Sequence, residues 1–113
     1  MEEDILVIDK PITKTNLKEI ANQRRGDLVK GVIDTEKRVL ALGMELHTDG
    51  EQTLLEAGSR QDQLWGINLY PDLDREFDSV INMRPPKNRS RSVDDPEIRN
   101  IITEIVFELI SNE

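Results

Sequence analysis

The sequence predicts an α+β fold: a four- or five-stranded, mainly antiparallel sheet with two long helices on one face and one short helix. Three patterns support this prediction. They are a helical apolar repeat near the C-terminus, two apolar runs joined by a short polar link, and two later segments in which apolar and polar residues alternate. Residues 1–113 suffice for a single globular domain with one core of modest size.

The first part of the chain predicts a strand followed by a helix. Ile5 to Ile8 is a short apolar run bounded by polar residues, which is typical of a strand. Thr13 is the predicted N-cap of the helix, and Gly26 is its predicted end. The helix places three apolar residues on one face: Leu17, Ile20 and Ala21.

A β-hairpin is predicted next. The apolar runs from Leu28 to Asp34 and from Arg38 to Leu46 flank the polar link 35–37. After the hairpin, Thr48 and Glu51 have the spacing of a capping box, which predicts a short helix over 49–57.

Two alternating segments predict a second pair of strands. The first covers 64–70 and the second covers 77–84. We expect them to pair antiparallel, with Ile67 opposite Ile81 or a position two residues away, because a slip of one residue would turn every side chain to the other face.

The last helix has the strongest pattern in the chain. Asp95 is its predicted N-cap, and Pro96 occupies the first helical position. Seven apolar residues then recur three and four apart, which predicts an amphipathic helix packed on the core. They are Ile98, Ile101, Ile102, Ile105, Val106, Leu109 and Ile110.

Composition excludes several classes of function. The chain has no cysteine, so disulfides, thiolate catalysis and cysteine-ligated metal centres are excluded. Its net charge of −8 disfavours binding to nucleic acid and to anionic membranes. The acidic start is unlike a signal peptide and no stretch reaches membrane-spanning length, so we expect a cytoplasmic protein without membrane association.

One loop is basic in this acidic chain. Residues 84–91 include Arg84, Lys87, Arg89 and Arg91, with no acid among them, and they lead into the last helix. Guanidinium groups suit carboxylate or phosphate, and a helix N-terminus adds donors. Together with the polar face of the preceding strands, the loop predicts a ligand-binding set: Asn68, Tyr70, Asn82, Arg84, Asn88, Arg89 and Ser90.

The alternative is that the loop is only a connector. Several acids are close in sequence, and surface ion pairs with them would neutralise its bases. These acids are Asp72, Asp74, Asp78, Asp94 and Asp95.

A second candidate site is a metal centre. Glu45, His47 and Asp49 alternate, so they would share one face if the strand extended that far. Imidazole and carboxylates are ligands for zinc, manganese or iron. Alternatively, Asp49 favours a helix dipole and the sole histidine is simply packed. No cofactor is expected apart from this divalent metal, and the sequence contains no nucleophile or nucleotide-binding motif.

Five segments carry a family resemblance: ELHTD, LLEAGS, LWGINLYP, INMRPPKNRS and DDPEIR, in this order. In these motifs the chain resembles, over essentially its full length, a family of short uncharacterised prokaryotic proteins, domain of unknown function 5674. Typical members have Ala where this chain has Thr48, and often Ser where it has Pro86. The resemblance implies a single intracellular domain and brings no activity, substrate or cofactor.

These observations give three hypotheses for function. The first is a non-catalytic cytoplasmic protein that binds an anionic small ligand or a partner protein through the loop 84–91. The second is a metal-assisted hydrolase that uses Glu45, His47 and Asp49. The third is a structural or subunit-type interaction protein in which the loop is only a connector.

Overall fold

A computed structural model describes residues 5–23 and 26–111, so the acidic first four residues lie outside the described part of the chain. The strands are β1 (Leu6–Ile8), β2 (Ile12–Thr13), β3 (Val29–Asp34), β4 (Val39–Leu42), β5 (Leu64–Leu69), β6 (Arg75–Glu76) and β7 (Ile110–Ser111). The helices are α1 (Lys14–Gln23), α2 (His47–Glu56) and α3 (Pro96–Leu109), with 3-10 turns at Gln61–Gln63 and Val80–Asn82.

Five of the strands form one antiparallel sheet in the order β1-β4-β3-β5-β6. This confirms the predicted α+β fold with a mainly antiparallel sheet. The remaining strands, β2 and β7, form a separate parallel pair that joins the start of α1 to the end of α3. None of the helices in the described part of the chain is long and apolar enough to cross a membrane.

α1 and α3, the two helices predicted to be long, cover the same face of the sheet, although the described part of α1 has ten residues, as many as α2. α1 contributes Leu17 and Ala21 to this core. Each large aliphatic side chain buried there stabilises the fold by roughly 1.5–3 kcal/mol before entropy is subtracted. The buried stripe of α3 consists of Ile102, Ile105, Val106 and Leu109. The sheet residues beneath the helices include Ile33, Leu40, Trp65, Ile67 and Leu69.

α2 packs on the opposite face of the sheet. Leu54 of this helix is buried in a smaller cluster with residues from β3, β4, β5, the second 3-10 turn and the link between β4 and α2. The other members of the cluster are Val32, Ala41, Met44, Leu64 and Ile81.

Two of the predicted helix caps are confirmed. The Thr13 hydroxyl accepts a hydrogen bond from the Asn16 N–H at 3.0 Å, and Asn16 Oδ1 accepts one from the Thr13 N–H at 3.1 Å. The Asp95 carboxylate accepts a hydrogen bond from the Glu97 N–H at 2.9 Å, with Pro96 first in the helix. Both caps satisfy N–H groups that have no partner within the helix.

The predicted hairpin is also confirmed, with β3 and β4 joined by residues 35–38. The Asp34 carboxylate stabilises this link because it accepts hydrogen bonds from the Glu36 N–H at 2.8 Å and the Lys37 N–H at 2.9 Å. Arg38 completes the turn at φ +58°, a conformation that is uncommon for a residue with a Cβ.

The predicted start of the short helix was wrong. α2 begins at His47, its N-cap is Leu46, and no side chain caps it, so Thr48 and Glu51 form no capping box. The His47 ring lies against the sheet, with Nε2 2.9 Å from the Ile67 carbonyl oxygen. This contact holds His47 against the sheet, and the helix begins there, one residue before the predicted cap Thr48.

The predicted strand over 77–84 was also wrong. β5 pairs with the two residues of β6, in the register Asn68 to Glu76 and Leu69 to Arg75, so Ile67 does not face Ile81. Residues 80–82 form a 3-10 turn in which the Ser79 hydroxyl accepts the Ile81 N–H. The neighbours Ile81 and Asn82 are both buried, which a strand with one solvated face does not allow.

Candidate functional site

Residues 77–92 cover the side of β5 that β6 leaves unpaired, and they do so with side chains in place of a strand. Asn82 Oδ1 accepts a hydrogen bond from the Gly66 N–H at 2.8 Å, and Asn82 Nδ2 donates to the Gly66 carbonyl at 3.0 Å. Further along the same edge, the Arg84 guanidinium donates to the carbonyls of Leu64 and Asp62. β6 pairs only with Asn68 and Leu69, so the earlier backbone groups on this side of β5 need other partners, and these two side chains supply them.

Asn88 holds the turn that follows. The residue is 3% exposed, and Nδ2 lies 2.8 Å from the Asn82 carbonyl and 2.7 Å from the Ser92 carbonyl. Its Oδ1 accepts the Asp94 N–H at 2.9 Å. Asn82 and Asn88 were both predicted to contact ligand. Their amides form hydrogen bonds within the protein that shape the loop.

Arg84 is the basic residue of the loop that is drawn inward. Its guanidinium carbon lies 4.3 Å from the centre of the Trp65 ring, and Nε donates to the Ile81 carbonyl. It forms no ion pair with any carboxylate in residues 5–23 or 26–111. Burial lowers the pKa of this guanidinium, although the charges of Glu51 and Asp62 act in the opposite direction. A half-buried cation therefore lies here without a paired anion.

Trp65 and Arg84 line a cleft of about 560 Å³ between the 84–88 turn and α3. We call it the Trp65 cleft. Ile98 and Ile101 form an apolar wall, and Lys87 adds a second positive charge. This volume is within the range of clefts that hold small organic molecules. The remaining lining residues are Thr35, Asp62, Gln63, Asn88 and Asp95.

The N-terminus of α3 does not offer the anion site that the sequence suggested. Asp95 already accepts the Glu97 N–H, and Asp94, Asp95 and Glu97 place three carboxylates around the first turn. These charges repel a further anion at the helix end. Positive charge in the Trp65 cleft comes from Arg84 and Lys87 instead.

Two of the predicted ligand residues lie away from the cleft. Asn68 is 8% exposed on β5, its Nδ2 is 3.5 Å from Glu76 Oε1, and its Oδ1 has no hydrogen-bond partner among the described residues. Tyr70 follows the strand, and its N–H donates to the Asp74 carbonyl in the next turn. Neither residue lines the Trp65 cleft.

The end of the basic loop points away as well. Arg89 is exposed, and the Ser90 hydroxyl donates to Asp94 Oδ1 at 2.8 Å. Arg91 Nε lies 2.7 Å from Asp78 Oδ1, so internal pairing with a nearby acid occurs at this residue. Of the seven predicted ligand residues, the cleft brings together Arg84 and Asn88. The ligand-binding role of the set stays a prediction.

His47 lies on the other face of the sheet from the cleft. Gly66 faces His47, since a Cβ on Gly66 would be 3.1 Å from the His47 ring. The adjacent residue, Trp65, faces the core beneath α1 and α3. Burial lowers the pKa of His47, and the nearby charges of Lys30 and Arg91 lower it further. Neighbouring strand residues point to opposite faces, so His47 and Arg84 do not share one site.

The geometry expected for a metal centre is not formed. β4 ends at Leu42 and α2 begins at His47, so Glu45, His47 and Asp49 do not alternate along a strand. In the described ranges, no three side chains of the metal-binding types are grouped as a site requires. Metal binding stays a prediction without geometric support.

Sequence reasoning missed several residues that line the cleft. The alternation over 64–70 places Trp65 on the apolar face of its strand, and the residue is only 6% exposed, so the pattern by itself favours a core position. Ile98 and Ile101 belong to the apolar repeat of α3, and half-burial is the only feature that distinguishes them from the core positions. Lys87 was visible in the basic loop, but no sequence pattern places it opposite α3.

Comparison with known proteins supplies a family and no activity. No curated protein and no solved structure matches the chain. The family model described as "Protein of unknown function (DUF5674)" matches residues 6–109 of the 113, which confirms the resemblance seen in the sequence motifs. The chain belongs to this family of proteins of unknown function, DUF5674.

Proposed function

We propose that this protein is a small, non-catalytic binding protein of the cytoplasm that holds an organic anion in the Trp65 cleft. The anionic group lies against Arg84 and Lys87, and the apolar part of the ligand packs against Trp65 and α3. The half-buried Arg84 is the observation that carries the proposal.

A guanidinium at this depth normally has a carboxylate partner, because removing a charge from water is costly unless it is paired. In the described part of the chain, Arg84 is paired only with backbone carbonyls and the Trp65 ring. Three hydrogen bonds leave two of its five N–H groups for another acceptor. A carboxylate or phosphate oxygen on a ligand supplies both that acceptor and a negative charge in direct contact with the guanidinium.

Lys87 adds a second contact of a different kind. It is exposed on the turn that forms one lip of the cleft, and its ammonium is carried on a flexible side chain. The ammonium can therefore change position to contact an anion, whereas the Arg84 guanidinium is held in place by its carbonyl partners. The two cations suit an anionic group at the end of the cleft where the turn lies.

The size and lining of the cleft favour an organic ligand over an inorganic ion. Phosphate would occupy only a small part of about 560 Å³. The half-buried side chains of Ile98 and Ile101, with the edge of Trp65, would remain in contact with water. Covering them with the apolar part of a ligand is favourable by roughly 25 cal/mol per Å².

The proposed cytoplasmic location is compatible with a chain that has no cysteine. A fold without disulfides does not need an oxidising compartment to stay folded. Fractionation of cells that express a tagged copy would check this part of the proposal.

Intrinsic fluorescence gives a direct test of binding, because Trp65 is the only tryptophan in the chain and lies in the cleft. The protein is titrated with a series of aliphatic and aromatic monocarboxylates and, separately, with inorganic phosphate. We expect saturable changes in Trp65 emission with the apolar carboxylates, accompanied by a rise in Tm. If no organic anion at millimolar concentration alters either signal, the proposal is wrong.

Lys87→Ala and Lys18→Ala form a matched pair for assigning the site. Both remove one exposed lysine, but Lys18 lies on α1, away from the cleft. Loss of a charge-assisted contact should weaken binding by about tenfold in Lys87→Ala alone. Equal weakening in both variants would show a general charge effect and would contradict binding in the cleft.

A further inference from the structure

The Trp65 cleft contains acids as well as bases, and this balance identifies the class of ligand. Two cations, Arg84 and Lys87, line it together with two carboxylates, Asp62 and Asp95. We infer that the ligand is a zwitterion with an apolar body: a carboxylate, an ammonium group and a hydrophobic side chain, as in a hydrophobic amino acid. This inference rests on the proposed function and goes beyond it by naming the second charge of the ligand.

Asp95 is the carboxylate placed to receive the ammonium. Its Oδ1 caps α3 by accepting the Glu97 N–H, and a carboxylate has a second oxygen that can accept further hydrogen bonds. Asp95 forms no ion pair with any cation in the described ranges. It is exposed, and it lies at the end of α3 that borders the cleft.

Asp62, the other carboxylate of the cleft, differs from Asp95 because it already has an ion-pair partner. Its Oδ2 lies 3.0 Å from Arg60 Nη2, and its backbone carbonyl accepts a hydrogen bond from Arg84. Its negative charge is therefore already compensated by an arginine of its own. Asp95 is left as the acid whose charge a ligand can compensate.

Charge also argues against ligands of a single sign. A polyanion would meet the two lining carboxylates within a chain of net charge −8. A simple amine would meet Arg84 and Lys87. A molecule with one charge of each sign avoids both repulsions, and its apolar part covers the wall formed by Ile98 and Ile101.

The test compares leucine with analogues that each lack one group, using Trp65 fluorescence on the full chain. 4-Methylpentanoate lacks the ammonium, 3-methylbutylamine lacks the carboxylate, and inorganic phosphate lacks the apolar body. We expect leucine to bind about tenfold or more tightly than either analogue, and phosphate to produce no saturable change. Dileucine carries its two charges further apart, so comparing it with leucine shows whether the zwitterion is a short peptide or a free amino acid. Tighter binding by leucine or by dileucine supports the inference.

Asp95→Asn isolates the ammonium contact, with Asp72→Asn as the matched control. Asparagine caps a helix as well as aspartate does, so the fold is kept while the charge is removed. Asp72 likewise accepts a backbone N–H two residues on, at Asp74, but it lies outside the cleft. Asp95→Asn should reduce the affinity for leucine to that for 4-methylpentanoate, without weakening the binding of 4-methylpentanoate. Asp72→Asn should leave both affinities unchanged.

The possible failures are distinguishable. If 4-methylpentanoate binds as tightly as leucine, or if Asp95→Asn binds leucine like the wild type, the zwitterion inference is overturned while the organic-anion site stands. If none of the carboxylates changes Trp65 emission, the proposed function fails as well.

Discussion

The side-chain amide of Asn82 forms two hydrogen bonds with the backbone of Gly66. Asn82 Oδ1 is 2.8 Å from the Gly66 nitrogen, and Asn82 Nδ2 is 3.0 Å from the Gly66 oxygen. A primary amide offers the same donor and acceptor as a peptide group, so Asn82 takes the place of a neighbouring strand at this point of β5. The same Nδ2 also donates to the Arg91 carbonyl at 3.0 Å, which ties the far end of the loop to the sheet.

Replacing Asn82 with alanine should therefore destabilise the protein by about 3 kcal/mol, because buried backbone groups lose their partners and each unsatisfied group costs roughly 1–3 kcal/mol. Urea denaturation followed by circular dichroism measures the change. Asn100→Ala on the exposed face of α3 is the control and should shift stability by less than about 0.5 kcal/mol. Equal denaturation midpoints for the two variants would contradict the bridging role of Asn82.

Gly66 is required because the 3-10 segment packs directly on it. A Cβ at this position would lie 2.6 Å from both Cβ and Oγ of Ser79. Gly66→Ala should destabilise the fold by about 1–3 kcal/mol through overpacking. The double variant Gly66→Ala/Ser79→Gly should lose less stability than the sum of the single variants, since it removes the clash. Strict additivity in this cycle would show that the two residues do not interact.

Stability should decrease as the pH falls below about 6.5 because of His47, the only histidine in the chain. Burial lowers its pKa, Lys30 and Arg91 lower it further, and Asp78 and the Ile67 carbonyl act against them. The unfolded chain thus binds a proton at a pH where the folded chain does not. The stabilisation is complete above the ordinary pKa of 6.5 and is lost as the pH falls towards the folded pKa.

Urea midpoints measured between about pH 5 and 7 check this dependence, because carboxylates with ordinary pKa values near 4 contribute little there. His47→Gln should give a flat profile over the same range. A wild-type profile that is equally flat, or one that rises towards low pH, would contradict the effect.

Arg84→Ala should shift Trp65 emission to longer wavelength, because the guanidinium covers the indole ring at 4.3 Å and its removal admits water. We also expect a loss of about 1–3 kcal/mol of stability, since the Leu64 carbonyl at the edge of β5 loses its donor. Arg99→Ala removes a comparable stacking contact, on Phe77 at 4.7 Å, without touching Trp65. The same emission shift in both variants would show that Arg84 does not shield the indole.

Local sequence patterns identified much of the fold correctly. The apolar repeat of α3 and its Asp95 cap need only residues within one or two turns of each other, and the same is true of the Thr13 cap. The hairpin of β3 and β4 follows from two apolar runs and a short link. The family also followed from the sequence, and its model matches residues 6–109.

The prediction failed where side chains replaced regular structure. Alternation over 77–84 indicated a strand, but Ser79 caps a 3-10 turn and Asn82 bonds to Gly66, 16 residues away in sequence. The start of α2 failed for the same reason, since His47 contacts Ile67 across 20 residues. Periodicity measures local environment and does not register such single long-range hydrogen bonds.

The sequence by itself determined the α+β class, two of the helix starts, the hairpin and the presence of a basic loop. Only the tertiary structure decided what that loop does. It turns Asn82 and Asn88 inward, pairs Arg91 with Asp78, and stacks Arg84 on Trp65 beside Lys87 and α3. The physical reason is that backbone groups on the edge of β5 need partners, and meeting that need determines which bases of the loop remain for a ligand.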